Sequence, residues 1–153
     1  MTTLTQTPLT QTSTPSRPAL PGLASLDRAT ARFAPVLGRL LIGGMFASAG
    51  LSKIGAYAGT QGYMESVGLP GGLLPLVIGF EILAGFMLIA GWKTRAVAFV
   101  LAGFTVVTAV TFHAELSDPV QSLFFYKNLA IAGGLLVLAG MGGGRYALDG
   151  RRP

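Results

Sequence analysis

A single carboxylate, Glu81, interrupts the apolar run Leu73–Gly91, LLPLVIGFEILAGFMLIAG, which carries no other charge. A run of that length can cross a bilayer, which takes ~20 mainly apolar residues at ~1.5 Å rise each. Near mid-membrane a carboxylate costs roughly 2.5–3.5 kcal/mol on insertion scales, so it is expected to face the protein interior and to have a partner. Lys127 is one candidate. Counted from the expected span ends, Glu81 lies ~12 Å and Lys127 ~7 Å inside the same membrane surface, a difference one lysine side chain can bridge. Pairing would relieve two desolvation penalties at once. Lys53, at the end of the first apolar segment, is the second candidate, because a helical side chain leans toward the helix N-terminus, here back into the membrane. Its competing reading is a lysine that snorkels to the interface. His113, the only histidine in the chain, stands where it could titrate near neutral pH and relay a proton to Glu81, or simply hydrogen-bond at the interface. Asn128 offers both donors and acceptors beside Lys127. Glu81, Lys127, Lys53, His113 and Asn128 are therefore the candidate intramembrane polar site, with no catalytic role fixed for any of them.

Four apolar segments must position these residues. They run over Pro35–Ser52, Leu73–Gly91, Ala96–Ala114 and Leu123–Met141, separated by charged or Gly/Pro-rich breaks. The expected fold is all-α, a four-transmembrane-helix bundle. Residues 1–34, rich in Thr, Ser and Pro, are expected to be a disordered cytoplasmic tail, because such a composition buries too little apolar surface to offset its ordering entropy. Residues 142–153 are expected to form a basic cytoplasmic tail. The stretch Lys53–Gly72, long for a connector, is expected to cap the bundle around Tyr57, Tyr63 and Met64. Ala47-Ser48-Ala49 resembles a signal-peptide cleavage site, but the leader before it is unusually long and a retained first helix is the preferred reading. Small residues four apart, Gly43 with Ala47, Gly44 with Ser48 and Ala130 with Gly134, offer surfaces for close helix approach, as do Gly79, Ala84 and Gly85.

Arginine and lysine set the expected orientation. Arg17, Arg28, Arg32, Lys93, Arg95, Arg145, Arg151 and Arg152 fall on the side that holds both termini, and Arg39 just inside it. Lys53 and Lys127 alone mark the opposite side, so the positive-inside bias puts both termini in the cytoplasm. Arg39 reads as one of these topology determinants.

Composition narrows the function classes. Of 153 residues, 51% are hydrophobic and only 11% charged, against about 25% charged in a usual soluble domain. The net charge of +5 is spread along span edges and forms no basic stripe, so no nucleic-acid partner is expected. With no cysteine and one histidine, the chain cannot carry thiol chemistry, a disulfide or a thiolate metal site, nor a structural zinc or a haem held by two histidines within one subunit, and no metal is expected. No serine has a base placed to activate it, and no glycine cluster opens a helix after a strand as a nucleotide fingerprint requires.

Taken in order, the motifs resemble those of the DoxX family of small bacterial membrane proteins. Arg39 is followed by Gly50-Leu51-Ser52-Lys53, Gly68-Leu69-Pro70, Glu81 with Gly85, Gly91 with Thr94-Arg95, His113, Lys127-Asn128, Gly133-Gly134 and Asp149. The resemblance covers roughly residues 35–150. It implies four helices and, from some members, a role in quinone-linked oxidation of sulfur compounds or in membrane redox complexes. The expectation it supports is a membrane subunit of an oxidoreductase complex rather than a stand-alone enzyme. Quinone would be its non-covalent cofactor, and its partners the lipid bilayer, a redox protein and a second copy of the chain. Two other classes remain open: a small proton-coupled transporter, and an assembly protein whose buried charges only fix helix packing.

Overall fold

A computed structural model describes residues 21–151. The helices are α1 (Pro21–Gly55), α2 (Tyr57–Ser66), α3 (Leu74–Ala90), α4 (Thr94–Phe112) and α5 (Pro119–Met141). Short 3-10 turns precede α3 and close the chain at Leu148–Arg151. Among the described residues, four segments are long and apolar enough to cross a membrane: Ala29–Gly55, Gly71–Ala90, Thr94–Phe112 and Pro119–Met141. Their outer faces carry exposed Leu, Val and Phe side chains such as Leu76, Leu83, Phe99 and Leu123, as suits helices solvated by lipid. With four crossings the two ends of the bundle differ. The terminal end carries the start of α1 and the chain's last described residues; the distal end carries α2 and the α4–α5 turn.

The bundle is built from two tight pairs. α1 packs extensively on α3 and α4 on α5, while α1 meets α5, and α3 meets α4, far more sparingly. Glycine explains the first pair. A Cβ added at Gly43 would lie 2.7 Å from the Gly85 carbonyl oxygen, and one at Gly85 would lie 2.7 Å from both the Gly43 oxygen and the Ala47 nitrogen. Gly50, two turns along, faces Ile82 and Glu81 in the same way. Without hydrophobic drive between helices in lipid, such backbone-to-backbone approach supplies the association energy. Gly44 and Gly79 face open space, so only one of the two small-residue rows on the first span is used. Leu88, Ala98, Leu101 and Leu135 are fully buried and fill the centre between the pairs.

Three boundaries differ from the sequence expectation. α1 begins at Pro21, so residues 21–34, expected within an unstructured tail, continue the first helix. Pro21 suits a first helical turn, and the following Leu, Ala and Arg are good helix formers. The Arg32 Nε donates to the Tyr146 hydroxyl at 2.6 Å, and the Phe33 and Tyr146 rings stack, which ties this extension to the C-terminal segment. The tail expectation for residues 1–20 lies outside the described residues. At the other boundary, α5 starts at Pro119 rather than near Leu123. Asp118 is its N-cap, its Oδ1 accepting from the Val120 and Gln121 amides at 2.8 Å each, with Pro119 in the first turn. The polar residues Gln121 and Ser122 hide that turn from a hydropathy reading.

The third difference is the C-terminal segment, which folds back over the terminal end as far as Arg151 instead of trailing away. Asp149 accepts from the Lys93 and Thr94 backbone amides at 2.8 and 2.6 Å, capping α4, and its own amide donates to the Gly91 oxygen at 3.0 Å. Ala147 is fully buried against Gly91 and Gly143. Gly91 ends α3 at φ 71°, the left-handed conformation glycine adopts without penalty. Asp149→Ala is expected to cost about 1 kcal/mol, the usual loss for an N-cap. It should also release the segment, so that trypsin cleaves after Arg145 faster than in the parent protein.

Candidate functional site

The α1–α3 glycine contact brings Lys53 to Glu81. Glu81 lies mid-helix on α3 with its side chain only 7% exposed. Gly50, one turn before Lys53, leaves no side chain between the helices: a Cβ there would come within 3.2 Å of the Glu81 Cβ. The Lys53 side chain leans back along α1, and its Nζ donates to Glu81 Oε1 at 3.0 Å and Oε2 at 2.8 Å, and to the Ala49 oxygen at 3.4 Å. Both carboxylate oxygens are thereby satisfied, as a charge in low dielectric requires.

Lys53, and not Lys127, is the ion-pair partner. Lys127 instead sets its Nζ over the Phe124 ring, 4.3 Å from the centroid, a cation–π contact within its own helix. The depth argument that favoured Lys127 compared position along the membrane normal only, whereas the close α1–α3 approach at Gly50 sets Lys53 laterally beside Glu81. His113 caps the C-terminus of α4. Its Nδ1 lies 2.7 Å from Gln121 Oε1 and its ring 5.3 Å from that of Phe124. Among the described residues no hydrogen bond joins His113 to Glu81, so no direct proton relay is formed. Asn128 is half-buried on α5.

Glu81, Lys53, His113, Lys127 and Asn128 nevertheless line one cavity of about 440 Å³, between the two helix pairs toward the distal end. Its walls are mainly apolar, with Phe46 and Met45 from α1, Phe104 and Phe112 from α4, and Ile131 from α5. α2 closes it from the distal side: the Tyr63 hydroxyl donates to the Phe112 oxygen at 3.1 Å, the two rings meet at 5.4 Å, and Met64 is buried against Leu74 and Ile78. The cavity also takes in Thr105, Thr108 and Thr111, which sequence reasoning passed over. Their spacing of three along an apolar helix was the available signal. The Thr105 and Thr108 hydroxyls donate to backbone oxygens of their own helix at 2.7 and 2.9 Å. The arrangement can hold a compact polar group among aromatic and aliphatic walls, with one ion pair and one additional cation beside it.

Arg39 belongs to a different cluster. It is 2% exposed, and its Nη1 donates to the Ile89 oxygen at 3.0 Å and the Leu88 oxygen at 3.5 Å. These are last-turn carbonyls of α3, beyond the reach of the helix's own i+4 amides; the Leu88 oxygen also accepts from the Gly91 amide at 3.1 Å. Asp149 adds electrostatic attraction from the capped α4 terminus. Arg39 is thus a buried structural cation at the terminal end. The sequence reading as a topology signal had the side of the membrane in view but not the carbonyls.

The DoxX family profile matches residues 34–114. The chain belongs to the DoxX family. The matched region contains Lys53, Glu81 and His113 and ends before Lys127 and Asn128. This DoxX protein is 47% identical over 114 residues to the inner membrane protein YqjF of Escherichia coli (strain K12), covering 74% of this chain and 88% of the relative. It is 32% identical over 124 residues to the inner membrane protein YphA of the same organism, covering 76% and 88%. No solved structure matches the chain significantly. Four spanning helices and inner-membrane relatives identify this DoxX protein as an integral protein of the bacterial inner membrane.

Proposed function

We propose that this DoxX protein is a quinone-contacting subunit of an inner-membrane redox assembly, with both termini in the cytoplasm. The observation that carries the reading is the Lys53–Glu81 pair set in the wall of a mainly apolar, membrane-embedded cavity. A purely structural ion pair gains nothing from facing a space of about 440 Å³, whereas ligand sites combine apolar walls with a few fixed polar groups. Arg32, Lys93, Arg95 and Arg145 at the terminal end support the orientation through the positive-inside bias.

The residues fit a quinone head group. Phe46 and Phe104 offer aromatic faces, and Lys53, Lys127 and Asn128 offer donors suited to ring carbonyl oxygens. When bound, a quinone supplies electron and proton acceptance. The chain's own residues would orient the head, Glu81 would hold or release a proton at a carboxylate oxygen, and α2 would keep water out. Electrons would come from the redox partner that this reading includes.

Mass spectrometry of lipids retained after purification in mild detergent tests the reading. The parent protein is expected to retain quinone, and Glu81→Gln to retain about tenfold less, a difference of ~1.4 kcal/mol, with the bundle intact. Equal retention would remove Glu81 from the site, and no quinone in the parent would remove the reading. Two tight helix pairs meeting loosely across the cavity favour a second reading, proton-coupled transport by rocking of one pair against the other. Glu81-dependent substrate flux in sealed vesicles, without quinone retention, would put it first.

A further inference from the structure

The two seams between the helix pairs are equally sparse, but different groups bridge them beside the cavity. Across the α3–α4 seam, the Phe80 and Phe104 rings meet edge-on at 5.0 Å, and Tyr63 of α2 is anchored to Phe112 at the distal end of α4. Across the α1–α5 seam the Ile42 side chain lies 3.7 Å from the Cβ position of Gly134. Toward the distal end from there, no hydrogen bond, ion pair or ring contact joins the two helices among the described residues. Both seam edges belong to the cavity lining. Met45, Ala49 and Lys53 stand at intervals of four along α1; Ile131, Asn128 and Lys127 run the same way along α5. Met45 and Lys127 are exposed while lining it, as are Tyr63 and Val107 on the opposite wall; ring contacts bridge the Tyr63 and α3–α4 sides, which leaves the α1–α5 side to communicate with the lipid-facing surface.

The gradient along this seam is chemical as well as steric. Its deep end is apolar, with Ile42, Met45 and Ile131, and its distal end carries two lysine ammonium groups and an amide. Lys53 is neutralised by Glu81, whereas no carboxylate among the described residues pairs with Lys127. A molecule lying in the seam would meet donors for its polar head inside the cavity and hydrocarbon outside it.

Resting on the quinone reading, we infer that the α1–α5 seam is a lateral portal, through which a lipid-soluble ligand enters from the bilayer and leaves its single apolar tail between Met45 and Ile131. The roof formed by α2 stays closed while it does so. The ligand class is a compact polar head on one hydrocarbon or isoprenoid chain, rather than a water-soluble solute arriving from the distal face.

The absence of native cysteine makes the portal testable by cross-linking. Met45→Cys with Ile131→Cys is bridged by a flexible bis-maleimide, and Tyr63→Cys with Phe112→Cys is bridged in a second protein to lock the roof. Binding of a decyl-tailed benzoquinone is then measured in lipid nanodiscs, with tailless benzoquinone as the head-only probe. Each bridged protein is compared with the same cysteine pair left unbridged. Bridging the seam is expected to weaken the tailed probe at least about tenfold, ~1.4 kcal/mol, and to leave the tailless one as it was before bridging, whereas bridging the roof should change neither from its own unbridged value. Unchanged tailed-probe binding after seam bridging, or loss only after roof bridging, overturns the portal. Should the seam pair fail to fold, Ile131→Trp narrows the same gap and must show the same preference for the tailless probe. Failure of the unbridged parent to bind either probe would overturn the quinone reading itself, an outcome distinct from a roof-gated ligand.

Discussion

Lys53→Met is expected to destabilise the folded bundle by about 3 kcal/mol, whereas Lys127→Met, at the same cavity, should change stability by less than about 1 kcal/mol. Glu81 is buried with both carboxylate oxygens accepting from Lys53. Removing that ammonium leaves a negative charge without its counter-ion in a low-dielectric setting, and breaking such pairs costs about 3–5 kcal/mol when both members are buried. The Lys53 side chain is 27% exposed, which places the loss at the lower end of that range. Lys127 gives up only an exposed cation–π contact with Phe124, of about 0.5–1 kcal/mol. The double change Lys53→Met with Glu81→Leu should recover most of the loss, because apolar replacement of a whole buried pair is often neutral. Reversible unfolding in bicelles measures all three. Equal losses for Lys53→Met and Lys127→Met would show that Glu81 is shared between the two lysines and that the observed pairing is not the dominant one.

The two lysines also show what the sequence makes legible and what it does not. A lone carboxylate in an apolar run identifies Glu81 without any structure, since insertion cost depends on composition and depth. Choosing its partner requires the stagger between helices, which hydropathy does not encode. That stagger is set by Gly43, Gly50 and Gly85, which bring α1 against α3 at one register. The α5 start was displaced because Asp118-Pro119, a strong cap, lies outside the apolar run. Arg39 is the opposite case: its charge and position were visible, but the α3 carbonyls it satisfies belong to residues about fifty positions away. The C-terminal fold-back was equally hidden. Asp149 acts through backbone amides at Lys93 and Thr94, and a backbone partner leaves no mark in side-chain pattern.

The same reasoning predicts opposite signs for one substitution made at two neighbouring kinds of glycine. Gly85→Ala should destabilise by about 2 kcal/mol, and Gly44→Ala should stabilise slightly, by about 0.5 kcal/mol. Both are helical and both gain one methyl group. At Gly44 the methyl meets nothing within 4 Å, so the gain in helix propensity is all that remains. At Gly85 it would lie 2.7 Å from the Gly43 oxygen and the Ala47 nitrogen, backbone atoms that cannot rotate aside. α1 must therefore move away from α3 along its whole contact, and the shift reaches Lys53 through Gly50. The Lys53→Met penalty should consequently shrink in the Gly85→Ala background but persist in full in the Gly44→Ala background, since coupled sites depart from additivity. A full Lys53→Met penalty in both would mean that the ion pair holds its own geometry, and that glycine packing follows from it rather than sets it.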